Sequence, residues 1–403
     1  MKESIYPQQS VESVREIRDE ALGLHGYLVI GSRINGLTCG GLRIHDDVSI
    51  QELKDLAKVM ELKQTFLGMP RGGARAGIRA PADLPEHRKQ ALINRFAELA
   101  KDELVGRKWL VAIDVGTNIH LMHNMYRHIG VAIPKPSQQI ANAGFFTALG
   151  VAKSVETSLE IKNREFADAS FAIEGMGNVG ASLFRALKAA GARITAASNV
   201  KGALVNETGL SLEEGLSLAA GAPVGGKRTK VMAKERLLEL PVNVLCPCAT
   251  DSTISSANAS RIRAEIVCAG ANNPVTHEAA RILFAREILY LPDFVTNSGG
   301  ALGNMVKFAG LPERYLHGIL ANELIRELRG LHAESQRQGR PPSEIAVAML
   351  NEKFAKMKAA LESKRRRSVL RELGLSLYRK GMVPRYPMRP FAIRTIRRSI
   401  GMQ

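Results

Sequence analysis

No stretch of this 403-residue chain reads as a membrane span: its longest apolar runs are short and interrupted. The N-terminal MKESIYPQQSVESVREIRDE carries charges of both signs and no apolar core, which argues against a secretory signal. Cysteine is scarce. The four present, Cys39, Cys246, Cys248 and Cys268, lack zinc-site spacing, so no metal site is expected, and they suit reduced thiols in a cytoplasmic protein. Cys246-Pro-Cys248 would put two thiols on one side of a strand, where core packing explains them better than redox work. Acidic residues are in deficit, giving a net charge of +17. That excess is local: from Glu362 to Gln403 there are twelve Lys or Arg against two acids, and the other 361 residues carry only +7. No nucleic-acid-binding motif accompanies it. The plainer expectation is a solvated extension, or one docking on an acidic face of a neighbouring subunit. A nucleic-acid partner would show instead as binding that salt weakens steeply and that truncation near residue 362 removes.

What is present suits a large buried core: 45% of residues are hydrophobic and 24% charged, over a length that favours two domains. Residues 51–67 place Leu53, Leu56, Ala57, Met60 and Leu67 at helical spacing, on a helix that carries Lys63. A glycine-rich loop is expected over Gly68–Gly77, presenting Arg75. A second helix is expected over 85–104. Lys108–Ile113 then reads as a buried strand ending at Asp114-Val-Gly-Thr-Asn118. Asp114 at that strand end suits either a catalytic carboxylate or the N-cap of the next helix. From about residue 140, helices alternate with short apolar runs at 170–174, 193–198, 242–246, 265–268 and 288–291. That rhythm implies a doubly wound parallel sheet. Residues 311–362 read as helical, broken at Gly339-Arg-Pro-Pro-Ser.

Gly175-Met-Gly177-Asn178-Val179-Gly180 matches the G-x-G-x-x-G fingerprint, directly after an expected strand and at the start of an expected helix. There the first glycine makes the turn, the second admits a pyrophosphate and the third lets helix and strand pack closely. The helix N-terminus would hold the phosphates. The end of the second strand carries Asn199 where an acid would hold a ribose 2′-hydroxyl. With Lys201 nearby, this leans towards NADP over NAD, although Lys201 also suits an exposed loop.

Taken in order, several segments resemble the glutamate/leucine/phenylalanine/valine (amino-acid) dehydrogenase family. They are Cys39-Gly-Gly-Leu-Arg-Ile-His-Asp, Lys63 to Ile78 with Pro-Arg-Gly-Gly-Ala-Arg75-Ala-Gly, Asp114-Val-Gly-Thr-Asn, the nucleotide fingerprint, Gly270-Ala-Asn272-Asn-Pro, and Asn297-Ser298-Gly-Gly. The resemblance covers most of residues 35–310. It implies a two-domain α/β protein. An N-terminal substrate and oligomerisation domain would span residues 1–135 and a Rossmann-type dinucleotide domain 136–310. Helices 311–362 would pack back on the first domain, and a basic tail would span 363–403. It implies a homo-oligomer, hexamer or octamer, acting on a small-molecule substrate with NADP or NAD.

By the same resemblance, Lys63 would bind the substrate α-carboxylate and Asp114 would be the general acid/base. Gly73, Asn297 and Ser298 would line the substrate cleft, and Asn272 and Asn297 would lie beside the nicotinamide ribose. Three departures stand out. Cys39 replaces the lysine that holds a distal carboxylate, which favours a neutral or apolar side chain. Ser137–Gly144 lacks the family's threonine. Arg75 replaces the catalytic lysine, and an arginine cannot exchange a proton, though it can still stabilise negative charge. The expected activity is hydride transfer between nicotinamide and Cα of a non-acidic amino or 2-oxo acid, or its imine. The alternative is a catalytically impaired homologue that binds nucleotide or amino acid in a regulatory or assembly role.

Overall fold

Two sheets organise the chain in the computed structural model, which describes residues 10–81, 83–133, 143–221, 229–362 and 389–402. The first sheet holds β1 (Ser13–Asp19), β2 (Leu24–Ile30), β3 (Thr38–Ile44), β4 (Gly72–Ile78) and β5 (Trp109–Ile113), in the order β1-β2-β4-β3-β5. β2 is antiparallel to β1 and β4, whereas β3 is parallel to β4 and β5. Its helices are α1 (Ile50–Phe66), α2 (Glu86–Leu99), α3 (Lys101–Leu104) and α4 (Ile119–His128).

The loop expected over Gly68–Gly77 is not what forms: from Gly72 onward the chain is β4, an interior strand buried throughout. The glycines serve close packing rather than looping. A Cβ at Gly73 would lie 1.9 Å from the Ala57 carbonyl oxygen of α1, and one at Gly77 would lie 2.5 Å from Val48. Thus α1 lies almost directly on β4. A second correction concerns β5, which was expected to be buried. It is an edge strand with Trp109 buried and Ile113 exposed, because no further strand covers it.

The second sheet holds β6 (Ser170–Glu174), β7 (Arg193–Asn199), β8 (Gly202–Val205), β9 (Lys230–Met232), β10 (Val244–Pro247), β11 (Ile266–Cys268) and β12 (Leu289–Leu291). Their order is β12-β11-β10-β6-β7-β8-β9. From β12 to β7 the strands are parallel, as the βα rhythm requires, but β8 and β9 run antiparallel. Val200-Lys201 joins Asn199 to its partner Gly202, and a two-residue connection can only reverse the chain. The helices that follow are α5 (Ala143–Ile161), α6 (Asn178–Ala189), α7 (Leu212–Ala219), α8 (His277–Ala285), α9 (Asp293–Thr296), α10 (Gly299–Phe308) and α11 (Arg314–Ile319). A π-helical turn, Leu320–Leu324, leads into α12 (Ile325–Gln338). Gly339 ends α12 in the left-handed region, and α13 (Pro342–Glu362) follows and packs on α1.

Helix α1 belongs to both halves of the molecule. Leu53 and Ala57 pack with β2 residues of the first sheet, while Val59, Leu62 and Phe66 join the core built on the second. Lys63 therefore sits where the two meet. The expected fate of the basic tail is also corrected for its last part. α14 (Arg389–Ser399) docks on its own chain: Ile396, Ile400 and Met402 are buried, and Gly401 N–H donates to the Phe66 carbonyl at 2.9 Å. Counting charge missed the Ile393, Ile396, Ile400 spacing between the arginines. Residues 363–388 and most of Ser137–Gly144 lie outside the described residues. Among the described residues no helix is long and apolar enough to cross a membrane.

Candidate active site

β4, β3 and β5 are consecutive parallel strands, so their side chains at one level come together. Arg75 of β4 and Asp114, just beyond β5, meet over Gly41 of β3, where a Cβ would lie 3.0 Å from Asp114 Cβ and 3.2 Å from an Arg75 nitrogen. Arg75 Nη2 contacts Asp114 Oδ2 at 2.6 Å, and Arg43 Nε donates to the same oxygen at 2.8 Å. Arg43 also pairs with Glu52 of α1 and approaches Asp251, from the loop after β10, at 3.9 Å. All five side chains are buried or nearly so.

Burial opposes charge on Asp114, but the Arg75 and Arg43 guanidiniums outweigh it and hold its carboxyl below the usual carboxylate range. The helix-cap reading of Asp114 is excluded by the next turn. Asn118 caps α4, accepting from Leu121 N–H at 3.0 Å, while Asp114 faces the arginines.

Lys63 is buried, and the hydrogen bond resolved for its Nζ is to Asn272 Oδ1 at 2.9 Å. Asn297 Nδ2 donates to that oxygen at 3.3 Å and to the Ala271 carbonyl at 2.8 Å. The structure thus brings Lys63, Asn272 and Asn297 together across the junction of the two sheets. Burial lowers the Lys63 ammonium to about 8, against the pull of Asp293 and Asp114 and with the push of Arg75.

This fixes a sign. Below pH about 8 folded and unfolded lysine are both protonated, and the folded state bears the full cost of burying the charge. Between about 8 and the unfolded value of 10.5 the unfolded chain binds more protons, so stability rises with pH. Lys63→Met is therefore expected to stabilise the protein near neutral pH by up to about 3 kcal/mol, with the gain fading towards pH about 10. Urea midpoints at both pH values read this out; an Lys63→Met variant no more stable than the natural protein at neutral pH overturns it.

Cys39 on β3 is buried opposite Gly73 of β4. Burial pushes its thiol up, opposed by a hydrogen bond from Arg71. Ser298 is buried at the start of α10. Arg43 ends the Gly-Gly-x-Arg match but has no role legible in the sequence, and neither have Glu52, Arg71, Asp251 and Asp293. Glu52 carries a local signal, the Ser49-x-x-Glu52 capping box, which marks a helix start and not a site. Asp251 had none, because only the fold carries it to Arg43.

The nucleotide fingerprint has the geometry its glycines imply. Gly175 has φ +90°, and a Cβ there would lie 2.6 Å from Ala249 Cα. A Cβ on Gly180 would lie 1.9 Å from the Gly175 carbonyl oxygen, so helix and strand pack without side chains between them. Gly177 faces open space and begins α6 with no side-chain cap, leaving the N–H groups around Asn178 and Val179 available to phosphate. A pocket of about 430 Å³ adjoins this turn, lined by Gly177, Asn178, Ser182, Arg185, Leu216 and Ala220 among others. Asn199, at the end of β7, donates to the Leu218 carbonyl at 3.1 Å and accepts from Lys201 N–H at 2.8 Å. Lys201 is exposed and donates to the Gly221 carbonyl. These residues fit a dinucleotide. Among the described residues no group of three or more His, Cys, Asp or Glu could hold a metal ion.

The profile of the Glutamate/Leucine/Phenylalanine/Valine dehydrogenases matches residues 143–308, and that of the Glu/Leu/Phe/Val dehydrogenase dimerisation domain matches residues 7–130. Glutamate dehydrogenase B of Halobacterium salinarum is 33% identical over 290 residues, which is 68% of this chain and 67% of that protein. The glutamate dehydrogenase of Thermotoga maritima is 32% identical over 292 residues, 68% of this chain and 70% of that one. The fold is similar to that of the hetero-hexameric glutamate dehydrogenase from Thermus thermophilus in its Leu-bound form. The TM-score is 0.73 at 21% identity, covering 87% of this chain and 89% of that one. It is also similar to L-tryptophan dehydrogenase from Nostoc punctiforme, with a TM-score of 0.61 at 20% identity, covering 88% and 98%.

Proposed function

Since the chain belongs to the Glu/Leu/Phe/Val dehydrogenase family and is an amino-acid oxidoreductase, we propose that it moves hydride between nicotinamide and Cα of a non-acidic amino or 2-oxo acid, or its imine. The observation that carries this reading is the convergence of Lys63, Arg75 and Asp114 beside Asn272 and Asn297, where the two sheets meet. Two cations there suit a substrate carboxylate, and fixing that group orients Cα towards the nicotinamide. Asp114, held ionised, suits the substrate ammonium as an acceptor. The dinucleotide, NAD or NADP, supplies the hydride acceptor when bound. Gly175, Gly177 and Gly180 would cradle its pyrophosphate with the N–H groups of Asn178 and Val179. NADP is favoured because Asn199, an amide, would not repel a 2′-phosphate and no carboxylate is among the described residues lining the adjoining pocket.

Cys39 supports a neutral side chain. Arg71 beside it favours a second reading, an acidic side chain neutralised by that guanidinium. The dimerisation-domain match supports a homo-oligomer, and four buried free cysteines suit the cytoplasm. The test is NADPH and NADH oxidation with ammonia and a panel of 2-oxo acids. Turnover with 2-oxoisocaproate or phenylpyruvate is the expected result. Turnover confined to 2-oxoglutarate would favour the Arg71 reading. Nucleotide binding without any turnover would leave the regulatory homologue.

A further inference from the structure

We propose that the two cations have exchanged tasks: Arg75 anchors the substrate α-carboxylate, and the Lys63 amine carries the proton. The inference rests on the amino-acid dehydrogenase reading and assigns two of its roles anew from what each side chain can do.

Arg75 is permanently charged at any working pH, so it cannot take or release a proton. It has the planar fork that matches a carboxylate. It is buried, its Nη2 contacts Asp114, and its Nε has no hydrogen-bond partner among the described residues. A buried guanidinium with an unfilled donor calls for an acceptor, and a substrate carboxylate supplies one. Asp114 is a poor proton carrier, because Arg75 and Arg43 both hold one of its oxygens and favour the carboxylate.

Lys63 is different. The hydrogen bond resolved for it goes to a neutral amide oxygen, and among the described residues no carboxylate pairs with it to lock it as an ammonium. The charged groups around it are Arg75 from β4, Asp114 after β5 and Asp293 of α9, and Asn272 after β11 completes the shell. Burial and Arg75 favour the free amine, while the two acids favour the ammonium, which leaves an amine able to work near pH about 8.

In the oxidising direction the substrate ammonium gives a proton to the Lys63 Nζ lone pair. The Cα–H bond then breaks with its electron pair passing to the nicotinamide, and the freed amine lone pair forms the second C–N bond of the iminium. Amine is oxidised, the dinucleotide is reduced, and Lys63 leaves as the ammonium. Reduction of the iminium runs the same steps backwards and needs Lys63 protonated.

The experiment uses the full-length protein and separates binding from turnover. Calorimetry with oxidised NADP follows binding of 2-oxoisocaproate and 2-oxoglutarate to the natural protein, Arg75→Met, Arg75→Lys and Lys63→Met. Arg75→Met is expected to weaken carboxylate binding at least 100-fold. Arg75→Lys, which keeps a cation on Asp114 for folding, should weaken it about tenfold, and Lys63→Met less than about fivefold. Steady-state kinetics of Lys63→Arg should show KM within a few-fold and kcat lower by about 10²–10⁴. In the natural protein kcat/KM for amine oxidation should rise through pH about 8, a limb absent from Lys63→Arg. The reverse order, with binding lost in Lys63→Met and kept in both Arg75 variants, overturns the exchange. So does a Lys63→Arg enzyme with natural kcat. If the natural protein binds neither 2-oxo acid, the dehydrogenase reading fails and the exchange with it. If it binds them but the variants order the other way, only the exchange fails.

Discussion

Asp114→Asn is expected to cost about 3–5 kcal/mol of stability, the range for removing one partner of a buried ion pair, and to lower turnover at least about 100-fold. Arg43 and Arg75 both point at Asp114 Oδ2. Without that charge Arg43 keeps Glu52 and Asp251, but Arg75 is left buried with no anion within contact among the described residues. The amide can accept a hydrogen bond but cannot balance a guanidinium. The pH dependence has a definite sign. The folded Asp114 pKa is depressed, so its contribution is complete above the unfolded value of 3.8 and is lost only as pH falls through the lower folded value. The natural protein should therefore hold this part of its stability through mildly acidic pH, and the variant should lack it at every pH above that range. An Asp114→Asn protein within about 1 kcal/mol of natural stability near pH 7 would mean that the arginines are neutralised by other groups.

Gly175→Ala should abolish dinucleotide binding. The added Cβ would lie 2.6 Å from Ala249 Cα and 2.7 Å from its backbone nitrogen, in a residue with φ +90°. Neither problem can be relieved by turning a side chain, because the obstacle is backbone and the conformation disfavours any Cβ. The turn must open, which moves the start of α6 away from β6 and dismantles the phosphate cradle. At least a 100-fold loss of affinity for NADP and NAD is expected, about 2.7 kcal/mol. Gly177→Ala makes a useful contrast: its Cβ meets open space, so the fold should survive while the pyrophosphate is crowded. Fluorescence titration with NADPH compares the two. Natural affinity in Gly175→Ala would show that the dinucleotide does not use this turn.

Much of the site is legible in the order of the residues. The nucleotide fingerprint can be placed because its glycines answer a local demand, a tight turn between one strand and the next helix. Lys63 can be placed on a helix because Leu53, Leu56 and Ala57 repeat with its period. Asp114 can be put at a strand end but not assigned, since a cap and a site carboxylate look alike in sequence. Asn118, four residues on, takes the cap and so removes that reading. The glycines around Arg75 mislead for a related reason. Glycine marks a place where a Cβ will not fit, and here the obstruction is α1 pressed on β4, not a turn. The basic tail misleads because its charges are conspicuous and its three buried isoleucine and methionine side chains are not.

The sequence by itself determined the family and the plan of two α/β halves, the second built on a Rossmann-like sheet. Those follow from residue identity and from order along the chain. Only the tertiary structure decided which charges share a boundary. Arg43, Glu52, Asp114 and Asp251 are scattered through the chain, yet they converge at one buried cluster, while Lys63 is turned to a neutral amide. Whether a buried group keeps its proton depends on its nearest charges and on the water excluded around it. Both are properties of packing in space, and neither is written in the local sequence.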